Sequence, residues 1–183
     1  DYIETRKGIR WKEGSINQRK YKGDFTMKMH IIGTGTATVS KYINTSCVFE
    51  EDDQLFLVDG TGGSDILRAF DTMNLNWKKL HYAFLSHEHT DHFLGMIWVI
   101  RTIAELLELE EYEGDFYLYG NDVVLGKVLH VCRMILKKRS QAFLETRIKF
   151  VLVKDHERKH ILNYDFTFFD IGSTKAKQYG FLM

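Results

Sequence analysis

The sequence contains no proline and only two cysteines among its 183 residues. Rigid proline turns and proline-rich linkers are therefore excluded, and glycine, asparagine and aspartate must mark the turns. Cys47 and Cys132 form no CxxC pattern, which excludes a disulfide scaffold and a cysteine-based zinc knuckle. Such sparing use of cysteine is typical of a reducing compartment, and we expect a cytoplasmic location.

Long apolar runs and an excess of charge of one sign are also missing. The longest apolar run covers residues 93–100, far fewer than the ~20 residues that cross a bilayer, and the N-terminus lacks a signal-peptide pattern. We therefore expect no membrane partner. Twenty-five basic residues balance 25 acidic residues, so a polyanion would have to be held by a local basic patch.

The first 26 residues differ in character from the rest of the chain. They carry seven Lys or Arg against four Asp or Glu and show no sustained hydrophobic period. Residues 1–26 are interpreted as a basic N-terminal extension, either a partly ordered arm or hairpin or an arm whose Trp11 or Tyr21 stacks on RNA bases. From Met27 onward, compact apolar segments alternate with turn residues, so residues 27–183 are predicted to form the folded domain.

The patterns in residues 27–183 predict strands that first pair as a hairpin and later alternate with helices. The expected strands cover residues 29–32, 46–50, 55–58, 80–85, 116–119, 148–153 and 166–171. One expected helix follows a capping Ser64, with Ile66, Phe70 and Met73 on one face, and two more cover residues 93–112 and 122–137. This order is typical of a mixed α/β layered fold.

Residues 87–92 carry the clearest chemical signal. They read His-Glu-His-Thr-Asp-His and follow a predicted buried strand directly. Residues two apart point the same way in an extended loop, so His87 and His89 can meet at one metal ion, whereas Asp91 and His92 point to a neighbouring position. Imidazole and carboxylate groups suit Zn²⁺, and two such ions can lower the pKa of a shared water. The alternative, a solvated turn that caps the next helix, has no use for three imidazoles.

This motif resembles the metallo-β-lactamase superfamily and, within it, the ribonuclease Z type of phosphodiesterase. The resemblance covers residues 27–183, and its most specific part is Ser86 to His92. Further support comes from Ile32-Gly33-Thr34-Gly35-Thr36, Val58-Asp59-Gly60 and Leu118-Tyr119-Gly120. The implied fold is an α/β metallo-β-lactamase αββα sandwich, of which this chain holds the N-terminal half and part of the second half.

The resemblance also implies a role for each site residue. His87 and His89 would bind a first zinc ion, and Asp91 and His92 a second, with Asp91 also the candidate catalytic residue. Asp59 would hydrogen-bond to the ligands from outside the metal site and so orient residues 86–92. A plain turn-forming Asp-Gly is the alternative for Asp59.

Two departures from the family pattern bear on metal occupancy. Gly172 stands where the next ligand, a histidine, is expected, and glycine has no side chain to bind a metal; His156 and His160 are candidate substitutes. The family's bridging aspartate and last histidine would lie beyond Met183, so the domain is expected to be incomplete. We therefore expect partial zinc occupancy, since two ions belong to a complete site.

An incomplete sandwich would leave one face of its sheet uncovered. The expected strands 80–85 and 166–171 carry large apolar side chains, and such a face is not stable in water. We therefore expect a homo-oligomer or a complementing chain to cover it.

The function implied by the resemblance is zinc-dependent hydrolysis, with cleavage of RNA phosphodiester bonds, such as those of a tRNA precursor, as the leading expectation. One alternative function is hydrolysis of a small-molecule ester, lactone or thioester, because such hydrolases use the same histidine motif. The other is a non-catalytic, degenerate or split member that acts as a binding protein.

Overall fold

The computed structural model describes residues 27–183; the predicted extension, residues 1–26, lies outside the described residues. The strands are β1 (Lys28–Gly33), β2 (Ser46–Glu51), β3 (Gln54–Val58), β4 (Leu80–Leu85), β5 (Phe116–Gly120), β6 (Ile148–Leu152), β7 (Arg158–Ile161), β8 (Tyr164–Asp170) and β9 (Tyr179–Leu182). The helices are α1 (Asp65–Thr72), α2 (Thr90–Glu108), α3 (Asp122–Ile135) and α4 (Lys138–Gln141), with a short 3₁₀ helix at Trp77–Lys79.

Strands β1 to β6 form one sheet in chain order. The first three strands are antiparallel, because a two-residue turn at Asp52 and Asp53, both with positive φ, reverses the chain between β2 and β3. Strands β3 to β6 are parallel, since helical segments connect β3 to β4, β4 to β5 and β5 to β6. The carboxyl ends of β3, β4 and β5 therefore meet at one edge of the sheet.

The helices cover one face of this sheet and enclose the larger of two hydrophobic cores. Alternate strand residues point into this core and pack against apolar helix residues, among them Leu57, Ala83, Leu118, Phe70, Met96 and Val128. At the N-terminus of α1, Ser64 occupies the capping position but makes no side-chain hydrogen bond there.

Strands β7, β8 and β9 form a separate antiparallel sheet that covers the other face. Phe166 and Phe168 of β8 are fully buried, and their rings lie 5.1 Å from that of Phe56 and 5.3 Å from that of Phe84, respectively. The expectation that the apolar faces of β4 and β8 are uncovered is therefore wrong. The two short strands beside β8 supply the second layer within the chain.

Segment boundaries differ from the predictions in several places. The charged stretch around residues 154–159 is not simply a turn, because β7 begins at Arg158 and places His160 in a strand opposite Asp165. Helix α2 begins at Thr90, so the end of the histidine motif is already helical. Helix α3 ends at Ile135 and is followed by the separate helix α4.

Within residues 27–183, every helix is too short or too polar to cross a membrane.

Candidate metal centre

Residues 86–92, which we call the metal loop, follow the central strand β4 and end in the first turn of helix α2. His87 and His89 precede the helix, whereas Asp91 and His92 lie in its first turn. The short connection after β4 and the first turn of α2 together fix the backbone of all four residues. A carboxylate in the first turn is also stabilised by the free N–H groups at a helix N-terminus.

Asp59 is the buried carboxylate behind the metal loop. It follows β3, whose Val58 pairs with Phe84 of β4, so the ends of the two strands lie side by side. One carboxylate oxygen of Asp59 accepts a hydrogen bond from Nδ1 of His92 at 2.7 Å. The backbone N–H and the hydroxyl of Ser86 also donate to this carboxylate, at 2.8 and 2.9 Å.

Ser86 links Asp59 to a second imidazole, that of His87, through hydrogen bonds. Its hydroxyl oxygen lies 2.8 Å from Nδ1 of His87. The Ser86 hydroxyl donates its proton to Asp59, so its oxygen can accept a hydrogen bond from Nδ1–H of His87. These partners assign the proton of the neutral His87 ring to Nδ1. His87 and His92 therefore both keep a bare Nε2 lone pair, the arrangement usual for histidine ligands of metals.

The potential ligand atoms of the metal loop lie in two pairs. Nε2 of His87 is 3.1 Å from Nδ1 of His89, and Nε2 of His92 is 3.4 Å from an oxygen of Asp91. Two ligands bound at 2.0–2.1 Å to a tetrahedral ion lie roughly 3.3 Å apart. The spacing and the chemistry of the donors therefore fit a zinc-like ion at each pair. At the first pair, the ion would replace the proton of the hydrogen bond between His87 and His89.

Each pair supplies only two donors. Within residues 27–183, no three His, Cys, Asp or Glu side chains are arranged to hold one ion. Gly172 has a φ of 67° and nothing within 4 Å of the position of a Cβ atom. His160 hydrogen-bonds to Asp165 and His156 lies beside Asp155, and neither contact involves the metal loop.

The connection between β1 and β2 supports Asp91 from the other side. The backbone N–H of Ala37 donates to the Asp91 carboxylate at 3.1 Å, and the carbonyl of Ala37 accepts from the side-chain amide of Asn44 at 3.0 Å. Sequence reasoning missed this contact, since a backbone donor 54 positions away leaves no side-chain signal. It also assigned no role to Ser86, although a hydroxyl next to a histidine motif could have suggested one.

Two glycines allow the Asp59 loop to lie directly against helix α2. A Cβ on Gly95 would be 1.5 Å from the carbonyl oxygen of Gly60, and a Cβ on Gly60 would be 2.2 Å from the nitrogen of Met96. The backbone N–H of Gly60 donates to the carbonyl of His92 at 2.7 Å. The close approach therefore places Asp59 within reach of the metal loop.

The local charges shift the pKa values of His87 and His92 in opposite directions. Burial, together with the nearby His92, lowers the pKa of His87. Burial also acts to lower the pKa of His92, but the hydrogen bond to Asp59 and the charges of Asp59 and Asp91 outweigh it and raise the pKa. His87 is thus held neutral, whereas protons compete more strongly for His92.

Comparison with known proteins places this chain in a family. The family model described as "Anti-Pycsar protein Apyc1" matches residues 27–183. The chain belongs to this family. A curated relative, ribonuclease Z of Bacteroides fragilis, is 35% identical over 81 residues, which are 43% of this chain and 26% of the relative. The chain thus matches about a quarter of the length of that enzyme.

Solved structures with a similar backbone confirm the predicted fold. The metallo-β-lactamase fold protein YhfI from Bacillus subtilis matches with a TM-score of 0.64 at 20% identity, covering 85% of this chain and 57% of that chain. The short form of human tRNase Z matches with a TM-score of 0.60 at 14% identity, covering 85% and 62%. The chain therefore has the metallo-β-lactamase fold, as its motif predicted, and part of its sequence is similar to ribonuclease Z.

Proposed function

We propose that this protein is a metal-dependent hydrolase of phosphodiester bonds, with RNA as the substrate class and zinc as the metal. The observation that carries the proposal is the buried carboxylate of Asp59, which orients His92 directly and His87 through Ser86. A carboxylate hydrogen-bonded to the Nδ1 side of imidazoles is typical of metal sites and has no evident use in a solvated turn. The similarity to enzymes named ribonuclease Z supports the choice of substrate class.

In this proposal, His87 and His89 hold one ion and Asp91 and His92 hold a second. When bound, such ions polarise phosphate oxygens and acidify a water at neutral pH. The chain's own part is to present the donors in fixed orientations. In the neutral imidazoles, Asp59 holds the proton of His92 on Nδ1 directly and that of His87 through Ser86, so both Nε2 atoms can face a metal, and the Ala37 N–H holds the Asp91 carboxylate in place.

A polar cleft beside the metal loop offers room for a substrate. Its volume is about 560 Å³, and it is lined by Glu88, Val123, Asp170, Gly172, Ser173, Thr174, Lys175, Ala176 and Lys177. Lys177 pairs with Asp122 at 2.5 Å, and Lys127 pairs with Glu88 at 3.0 Å. Each of these lysines is balanced by a carboxylate, so the cleft offers lysines for phosphate contacts without an excess of positive charge.

The proposal is tested with the zinc-loaded chain, bis(p-nitrophenyl) phosphate and a short RNA. We expect hydrolysis of both phosphodiesters, reduced about 100-fold or more by Asp91→Asn, which removes the charge of a metal ligand, or by His89→Ala, which removes a ligand. Asp71→Asn is the matched control, since Asp71 is an exposed residue of α1. It should leave the rate unchanged.

The same assay separates the alternatives. Hydrolysis of p-nitrophenyl acetate or a lactone without cleavage of either phosphodiester would favour a small-molecule hydrolase. Zinc binding without turnover of any of these compounds would favour a binding protein. Either result would overturn the proposal.

A further inference from the structure

Glu51, at the end of β2, is a buried carboxylate with no basic partner among residues 27–183. Only 2% of its surface is exposed, and neither carboxylate oxygen completes a hydrogen bond within residues 27–183. The preceding residue behaves differently, because Glu50 lies 2.8 Å from His30 and 3.9 Å from Lys28. A buried carboxylate without an opposite charge is strongly unfavourable, so Glu51 needs either a cation beside it or a bound proton.

A polar cavity adjoins this carboxylate. Its volume is about 210 Å³, and it is lined by Glu51, Asp52, Gln54, Tyr82, Leu162 and Asn163. Asp52 brings a second carboxylate and accepts a hydrogen bond from the amide of Asn163 at 3.0 Å. The cavity therefore lies where the β2–β3 turn meets the β7–β8 turn of the other sheet.

The described basic residues near this cavity are engaged elsewhere. Lys28 lies beside Glu50 and Lys79 pairs with Asp53, whereas no lysine or arginine within residues 27–183 pairs with Glu51 or Asp52. The hydroxyl of Tyr164 lies beside Glu51, and desolvation together with the Glu51 carboxylate raises the pKa of Tyr164. A neutral phenol can share a hydrogen bond but cannot supply positive charge.

We propose that this cavity binds a hard divalent cation of the Ca²⁺ type. Every polar side chain that lines it offers oxygen, from two carboxylates, two side-chain amides and one phenol, and none offers imidazole or thiolate. Oxygen donors of this kind select Ca²⁺ or Mg²⁺ rather than zinc. The volume leaves space for water ligands, which such ions keep.

The site is separate from the metal centre. Ser46, at the other end of β2, donates a hydrogen bond to the carbonyl of Asp59, and the five-residue step from Ser46 to Glu51 spans about 17 Å of strand. A cation here would fix the two turns together and so join the two sheets at the end opposite the metal loop. The proposal does not depend on the proposed hydrolase activity.

The test uses terbium, a luminescent substitute for calcium, with the zinc-loaded chain so that the metal loop is already filled. Excitation of the tyrosines should give terbium emission, because Tyr82 lines the cavity and Tyr164 adjoins it. Calcium should displace the terbium. Glu51→Gln should weaken binding about 10-fold or more, since affinity at such sites follows the number of charged ligands. Glu50→Gln, the matched control, should bind as the unchanged protein does.

A second pair of variants keeps the test decisive if Glu51→Gln does not fold. Asp52→Asn should weaken terbium binding, whereas Asp53→Asn should not, because Asp53 pairs with Lys79 outside the cavity. Absence of terbium emission from the unchanged protein would overturn the proposal and leave a proton or a basic side chain as the counter-charge. Equal emission from the Asp52 and Asp53 variants would overturn it as well.

Discussion

At the scale of single residues, the metal loop depends on a residue far from it in sequence. Asp59 accepts hydrogen bonds from His92 and Ser86. The Ser86 hydroxyl in turn hydrogen-bonds to His87. The spacing of the histidine motif suggested which side chains could converge, and the family resemblance suggested Asp59. The role of Ala37 could not be predicted, because it depends on how distant segments meet, whereas the position of Ser86 next to the histidines could have suggested its role.

Replacement of Asp59 tests this dependence. Asp59→Asn keeps the shape of the side chain but removes the charge that fixes the tautomers of His87 and His92, so we expect zinc affinity to fall about 10- to 100-fold. Competition with a coloured chelator measures this change. The control Asp71→Asn should show the affinity of the unchanged protein. If Asp59→Asn bound zinc equally well, the supporting role of Asp59 would be wrong.

Zinc affinity should also depend on pH. A metal binds only the neutral imidazole, so protonation competes with it. The pKa of His92 is raised above the ordinary 6.5, so affinity should begin to fall at a pH above that value as the pH decreases. The pKa of His87 is lowered below 6.5, so its contribution to the loss should follow at lower pH.

Chelator competition between about pH 5.5 and 8 measures this dependence. The logarithm of the dissociation constant should rise as the pH falls, by up to one unit per pH unit for each proton displaced. Circular dichroism at each pH serves as the control that the chain stays folded. An affinity that stays constant over this range would show that the histidines do not bind the metal.

At the scale of elements, helix α2 and the loop after β3 form one unit. Gly60 and Gly95 let the two backbones approach closely, and the N–H of Gly95 donates to the carbonyl of Thr61 at 3.1 Å. The sequence predicted β4 at its observed bounds, because turn residues and the histidine motif flank a compact apolar run. Strands β7 and β9 were missed, because each has only four residues and β7 consists mostly of charged and polar residues.

A methyl group at position 95 should disturb this contact. Gly95→Ala places a Cβ against the backbone of Gly60, so we expect a loss of about 1–3 kcal/mol in the free energy of unfolding, measured in urea, and weaker zinc binding. Gly126→Ala is the matched control, because Gly126 is also helical and nothing lies within 4 Å of its Cβ position. It should stabilise the protein by up to about 1 kcal/mol. Equal behaviour of the two variants would contradict the close contact.

At the scale of the whole molecule, the two sheets share an aromatic core. Phe56 and Phe84 of the large sheet pack against Phe166, Phe168 and Phe181 of the small sheet. The sequence indicated that the faces of β4 and β8 are apolar but not that they cover each other, because that pairing depends on the missed strands beside β8. Self-association is therefore not needed to cover this surface.

Truncation of one of these rings should destabilise the whole fold. Phe168→Ala removes a fully buried ring, so we expect a loss of about 3–5 kcal/mol in the free energy of unfolding. Ile171→Ala, at a side chain that is 47% exposed just after the same strand, should change stability by no more than about 0.5 kcal/mol. Thermal unfolding followed by circular dichroism compares them. A small effect of Phe168→Ala would mean that the sheets do not pack as described.

The central claim is that the metal loop holds metal through two pairs of donors supported by Asp59. The most direct measurement is the anomalous X-ray scattering of zinc in crystals of the zinc-loaded protein. The account predicts one peak in contact with His87 and His89 and another in contact with Asp91 and His92, each at the ~2.0–2.2 Å of zinc–nitrogen and zinc–oxygen bonds. Zinc bound only elsewhere, with these four side chains free of metal, would contradict it.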